Sequence, residues 1–127
     1  SEIQVINKEL YSGTKQKLFD LYQQSRQWSL DYFEFIYRRL GTKPFDRYFF
    51  ESEVWEIGKE LVEKNLNKIF IKSDGAIVFP GEKIGLHTRV FISSEGNPTY
   101  EAKEMGLAKL EKEAFTYDKN IHIVAAI

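Results

Sequence analysis

Residues 93–104 read SSEGNPTYEAKE and join a strand-like run, 89–92, to the start of a helix. The Gly-Asn-Pro triplet favours a turn between the two elements. Strand, polar turn and helix start are the parts from which α/β proteins build ligand sites, because the turn lies at the carboxyl end of a strand. Tyr100 and Glu104 are one helical turn apart and are expected on one face. Such a pair could seat a cationic ligand, or it could be a helix-start aromatic beside a solvated glutamate.

The first 40 residues have the apolar spacing of helices. Residues 12–14 can cap a helical segment, and a wide apolar face repeats from Trp28 to Leu40. Gly41 follows that face and is predicted to end the helix. The sequence after the break at Lys43-Pro44 predicts a short strand over 46–50.

Ser52 is predicted to cap the next helix, which ends near Asn65. Its buried stripe is predicted to consist of Val54, Ile57 and Leu61.

Three short strands are expected next, over 68–72, 76–79 and 87–93, separated by turn sequences at 73–75 and 80–83. They indicate an antiparallel meander, followed by a helix from Tyr100 to about Glu113. The run 120–127 is almost continuously apolar, which is typical of a strand buried on both faces of a parallel sheet. The predicted fold class is therefore α/β: a helical N-terminal part, short antiparallel strands, then a helix and a final buried strand. An ending on such a strand predicts a piece of a longer protein.

The amino-acid composition excludes several classes of protein and of binding site. With 127 residues, 43% of them hydrophobic, the sequence predicts one ordered domain over 1–127. A net charge of −1 gives no footprint for non-specific nucleic-acid binding. The lack of cysteine excludes disulfides and thiolate metal sites, and His87 and His122 have no metal-ligand spacing. No apolar run is long enough for a membrane span and no signal peptide is recognisable, so a cytoplasmic location without a membrane partner is expected.

Four segments resemble arginyl-tRNA synthetases, which are class I aminoacyl-tRNA synthetases, and they follow the family's order. They are 26–33, the Leu-Gly, Phe-Asp and Glu-Ser pairs within 40–52, the 73–79 run SDGAIVF, and 93–107. The resemblance implies a fragment of a nucleotide-binding, Rossmann-like catalytic domain. Residues 1–72 would be a mainly helical, insertion-like part, and 73–127 would supply a β-hairpin, helix and strand of the catalytic core.

The resemblance also implies a role in the arginine pocket for Tyr100 and for Glu104, which replaces the family's aspartate. The ATP-binding signatures would lie outside this chain, so no catalytic or metal-binding residue is assigned to it. The parent would use ATP with Mg²⁺, arginine and tRNA(Arg), and the isolated fragment is expected to be inactive without the remainder of the parent chain. The alternative is a non-enzymatic α/β binding or protein-interaction module that shares short motifs with the family.

Overall fold

The computed structural model describes residues 2–12 and 15–124. This part of the chain contains four α-helices and an antiparallel sheet of three strands. The predicted combination of helices and short antiparallel strands is confirmed. The helices are α1 (Glu2–Ser12), α2 (Gln16–Leu40), α3 (Glu51–Lys64) and α4 (Tyr100–Ala114). The strands are β1 (Ile71–Ser73), β2 (Ala76–Phe79) and β3 (Arg89–Ile92). Contacts divide the chain into two compact units, Ser1–Tyr48 and Phe49–Ile127.

The first unit contains α1 and α2. Gly41 ends α2 in the left-handed conformation (φ 70°), which confirms the predicted terminus. The predicted cap over 12–14 is wrong. Ser12 is the last residue of α1, and extended Lys15 stands at the start of α2 without a side-chain capping bond. Residues 13 and 14 lie outside the described part of the chain.

The segment after α2 folds back on that helix through aromatic contacts. The ring of Phe45 lies 5.1 Å from Tyr37 in an edge-on contact and 5.8 Å from Tyr48. The Tyr48 hydroxyl donates a hydrogen bond to the Glu34 carboxylate. The predicted strand over 46–50 is therefore wrong, because Tyr48 is held against α2 and Phe50 serves as the N-cap of α3.

Helix α3 begins at Glu51, two residues before the start that a Ser52 cap would give. Phe50 is the N-cap, and its N–H donates to Glu53 Oε2 at 2.8 Å. Ser52 is already in the first turn, so the predicted serine cap is wrong and the glutamate performs that role. The helix ends at Lys64 with Asn65 as its C-cap, as expected, and Asn65 Nδ2 donates to the carbonyl of Leu61 at 2.8 Å.

The sheet has the order β1-β2-β3 with antiparallel neighbours, which confirms the predicted meander. Asp74 (φ 48°) and Gly75 (φ 80°) form the two-residue turn between β1 and β2. Positive φ at both positions is what a type I′ hairpin requires, so the Asp-Gly pair is a turn here. Strand β2 has the predicted bounds. Strand β1 begins three residues later than predicted, after a turn at 67–69, and β3 is shorter than predicted at both ends and follows a 3₁₀ helix over Gly81–Ile84.

The buried core of the second unit joins both helices to one face of this sheet. Its members come from α3, from the residue directly before β1, and from β2, β3 and α4: Val62, Phe70, Ile77, Ile92 and Ala102. The buried positions of α3 are Val54, Gly58 and Val62. Val54 was predicted, whereas the half-buried Ile57 and Leu61 flank the stripe.

Helices α3 and α4 approach each other backbone to backbone. A Cβ atom added to Gly58 would lie 2.0 Å from the carbonyl oxygen of Ala102. One added to Gly106 would lie 2.2 Å from the carbonyl oxygen of Val54. Only glycine can occupy either position without moving a helix.

The predicted buried strand at the end of the chain is wrong for the described residues. Residues 120–124 are coil, with Ile121 80% exposed and Ile123 93% exposed. A strand buried in a parallel sheet needs parallel neighbours, and the strands described in this chain pair only antiparallel with one another. Residues 125–127 lie outside the described part.

Among the described residues, no helix combines the length and the apolar character needed to cross a bilayer.

The glycine contacts generate a stability prediction. Gly58→Ala and Gly106→Ala should each lower the free energy of unfolding by roughly 1–3 kcal/mol, because each methyl group collides with a carbonyl oxygen. At an unobstructed helix site the same change stabilises by about 0.5–1 kcal/mol, so the sign of the effect is diagnostic. Urea unfolding followed by circular dichroism measures it. The control is Ala108→Ser on the exposed side of α4, expected within about 0.5 kcal/mol of the unaltered chain. Greater stability in either glycine variant would contradict the close approach.

The Tyr48–Glu34 hydrogen bond generates a pH prediction. The bond to the carboxylate raises the pKa of Tyr48 to about 12. Because the folded-state pKa is raised, the stabilisation is fully present below pH ~10, the ordinary tyrosine value, and is lost as the pH rises through about 12. In an ultraviolet titration of tyrosinate, Tyr48→Phe should remove the step at highest pH, and Glu34→Gln should move it down. Tyr32→Phe, on an exposed ring, should leave that step in place.

Candidate functional site

The strand–turn–helix segment singled out in the sequence is held tightly by hydrogen bonds. Gly96 N–H donates to the Ser93 carbonyl at 2.9 Å, and Ser93 N–H donates to the Asn97 carbonyl at 2.9 Å. Gly96 has φ 81°, a left-handed conformation that suits glycine. Lys59 Nζ of α3 donates to the Gly96 carbonyl at 2.9 Å, so α3 fixes the turn as well.

After the turn, the chain doubles back along β3 before α4 begins. Thr99 N–H donates to the Phe91 carbonyl at 2.9 Å, and Thr99 Oγ1 donates to the Val90 carbonyl at 2.7 Å. The Thr99 hydroxyl is thus bonded to the strand, which explains why this N-cap residue makes no side-chain cap of its own helix. The first turn of α4 therefore starts beside the middle of β3.

Tyr100 and Glu104 lie on the same face of α4, and the structure brings their side chains together. The nearby Glu104 carboxylate, as a hydrogen-bond acceptor and as a negative charge, raises the pKa of Tyr100 above its ordinary value. Tyr100 is 65% exposed, whereas the Glu104 side chain is only 34% exposed. Both groups therefore remain accessible from solvent.

The pair opens onto a shallow cleft of about 160 Å³ between the starts of α3 and α4. The lining residues are Phe49, Phe50, Glu51, Val54, Tyr100, Lys103, Glu104 and Leu107. Apolar side chains form its walls, and two carboxylates and one ammonium group provide its charges. The ammonium of Lys103 is ion-paired with the Glu51 carboxylate across the cleft. An exposed carboxylate beside an apolar wall can bind a cation that has a hydrocarbon stem.

His122 is a neighbour of this site that the sequence does not predict. Its Nδ1 atom lies 3.8 Å from Glu104 Oε2, and its Nε2 atom lies 3.5 Å from Glu111 Oε2. Asn120 Nδ2 donates to Glu111 Oε2 at 2.6 Å and holds the same segment against α4. The sequence places His122 in a buried strand, so nothing in its spacing indicates a contact with the helix. The other histidine, His87, does not line the cleft.

Curated proteins similar to this chain are arginine–tRNA ligases. The ligase of Porphyromonas gingivalis is 31% identical over 117 residues, which cover 91% of this chain. That of Amoebophilus asiaticus is 29% identical over 97% of the chain, and that of Bacteroides fragilis is 31% identical over 82%. The chain is a relative of the arginine–tRNA ligases. The family resemblance read from the four segments is thereby confirmed.

The arginine–tRNA ligases are much longer than this chain. The matched region is 19% of the Porphyromonas ligase and 21% of the Amoebophilus ligase, so the chain spans about a fifth of the length of these relatives. No protein-family model matches the chain.

Proposed function

We propose that this chain is part of an arginyl-tRNA synthetase and supplies part of its arginine pocket. The observation behind the proposal is the similarity to arginine–tRNA ligases over 91% of the chain. The complete protein would activate arginine with ATP and transfer it to tRNA(Arg). Its class I, Rossmann-like catalytic domain would include 73–127, with 1–72 as the helical insertion-like part, and it would act in the cytoplasm.

The extent of the similarity favours this function over the alternative of a non-enzymatic binding module. That alternative requires only that short motifs be shared. The alignment instead runs through 117 residues and includes the segments between the motifs.

The geometry of the cleft supports arginine as the ligand. A guanidinium group presents its N–H donors as a planar fork that matches a carboxylate. The Glu104 carboxylate lies in the cleft beside Tyr100 and can accept hydrogen bonds from a ligand. The walls formed by Phe49, Val54 and Leu107 suit the methylene groups of an arginine side chain.

The same cleft does not suit ATP. A triphosphate binds to cations, to metal ions and to free backbone N–H groups. The cleft instead holds the carboxylates of Glu51 and Glu104, and its Lys103 ammonium is already ion-paired. We therefore assign ATP, and the Mg²⁺ that accompanies it, to the remainder of the parent chain, and no catalytic residue to this part.

The proposed arginine pocket can be tested by mutation in the complete ligase. Glu104→Gln preserves the shape of the side chain and removes the charge that pairs with guanidinium. We expect the free energy of arginine binding to weaken by roughly 1.5–3 kcal/mol, which raises the Michaelis constant for arginine about ten- to a hundredfold. The constant for ATP should change much less, and Tyr100→Phe should cost less than Glu104→Gln because it removes a single neutral donor. Pyrophosphate exchange measures both constants.

The matched control is Glu101→Gln, which alters a carboxylate of the same helical turn that does not line the cleft. It should leave the arginine constant unchanged. An unaltered Michaelis constant for arginine in Glu104→Gln would show that Glu104 is a solvated surface residue with no part in arginine binding.

The isolated chain provides a second test. Residues 1–127 alone should not support arginine-dependent pyrophosphate exchange, because the ATP site is assigned elsewhere. The complete ligase in the same assay is the positive control. Turnover by the isolated chain at the rate of the complete ligase would show that the division of roles proposed here is wrong.

A further inference from the structure

The cleft contains an ammonium group next to the carboxylate that is proposed to bind arginine. Lys103 directly precedes Glu104 in α4, and both side chains line the cleft. A lysine ammonium on its flexible four-carbon stem can pair with any carboxylate within reach. If it paired with Glu104, it would occupy the position of a guanidinium and neutralise the charge that attracts the substrate.

The structure shows the Lys103 ammonium on a different partner. It is ion-paired with Glu51, the first residue of α3, on the opposite wall of the cleft. The Lys103 side chain is only 21% exposed, so its stem is packed between the helices, while Glu51 is 59% exposed. Ion pairs with an exposed partner contribute little to folding stability. The consequence of this pair is therefore the place at which it holds the ammonium group.

On the basis of the arginine pocket proposed above, we propose that Glu51 is a positioning residue for substrate recognition. Its carboxylate holds the Lys103 ammonium at the α3 side of the cleft, which leaves the Glu104 carboxylate available to a guanidinium. Glu51 acts through Lys103 and needs no contact with the substrate. The Glu104 carboxylate, which lies 3.8 Å from His122 Nδ1, is then not shared with the Lys103 ammonium.

A purely structural role of the ion pair makes different predictions from this positioning role. If the pair only fastened α4 to α3, removal of either partner would have the same effect, and removal of both would be no better. If Glu51 restrains Lys103, the loss of Glu51 is harmful because the ammonium can then turn towards Glu104. Removal of the lysine as well then eliminates the competing cation.

The experiment measures the Michaelis constants for arginine and ATP by pyrophosphate exchange in the complete ligase. Glu51→Gln should raise the arginine constant roughly three- to tenfold, the scale of one partly exposed charge interaction, with little change for ATP. Lys103→Gln should raise it less than Glu51→Gln does. The double variant E51Q/K103Q should return the arginine constant to within about twofold of the unaltered enzyme.

Glu113→Gln is the matched control, because it breaks the Lys109–Glu113 ion pair (3.4 Å) on the same helix away from the cleft. It should leave both constants unchanged. An unaltered arginine constant in Glu51→Gln, or a double variant as impaired as Glu51→Gln, would overturn the positioning role. Glu104→Gln is measured beside these variants. If it too has no effect, the proposed pocket fails; if it alone weakens arginine binding, the pocket stands and the role of Glu51 fails.

Discussion

The second unit depends on the close approach of α3 and α4, in which two glycines allow carbonyl oxygens into positions where a methyl group would collide. At Gly58 and Gly106 the absence of side chains brings the helix backbones together. Glycine within a helix costs about 1 kcal/mol relative to alanine, so this contact must compensate for two unfavourable residues. It does so by placing Val54, Val62 and Ala102 in the buried interior.

The geometry of the cleft follows from this approach. Gly58 meets Ala102 in the first turn of α4, and Gly106 meets Val54 in the first turn of α3. The shallow cleft is lined by Glu51 from α3 and by Tyr100 from α4. The double-back of the chain along β3 fixes where α4 begins, and Lys59 ties the preceding turn to α3. The position of Glu104 is thus determined by backbone contacts at Gly58 and Gly106 and by hydrogen bonds of the turn, none of which involves a ligand.

Local sequence signals predicted much of the secondary structure. Gly41, the Asp74-Gly75 pair and the helix that begins at Tyr100 each depend on the conformational preferences of a few neighbouring residues. The failures have non-local causes. The aromatic run at 46–50 resembles a strand, but ring contacts with α2 determine the conformation of its first part. The apolar run at 120–124 resembles a buried strand, but a strand needs neighbours that the described chain does not offer.

The site shows the same division between local and distant effects. The pairing of Tyr100 with Glu104 follows from helical spacing and was predictable. The contributions of Glu51, Lys103 and His122 were not, because Glu51 and His122 reach the site from separate elements and the position of Lys103 depends on Glu51. The close approach of the helices at Gly58 and Gly106 was equally unpredictable, since an isolated glycine in a helical pattern indicates only a less stable helix.

The exposed run Ile121-His122-Ile123-Val124 has a consequence for the behaviour of the chain in isolation. Short β-prone apolar segments without proline, when they face water, are templates for pairing with the same segment of another molecule. The chain on its own therefore exposes a potential nucleus for ordered aggregation. Covering the exposed side chains of Ile121 and Ile123 would remove this template and so protect the chain from self-association.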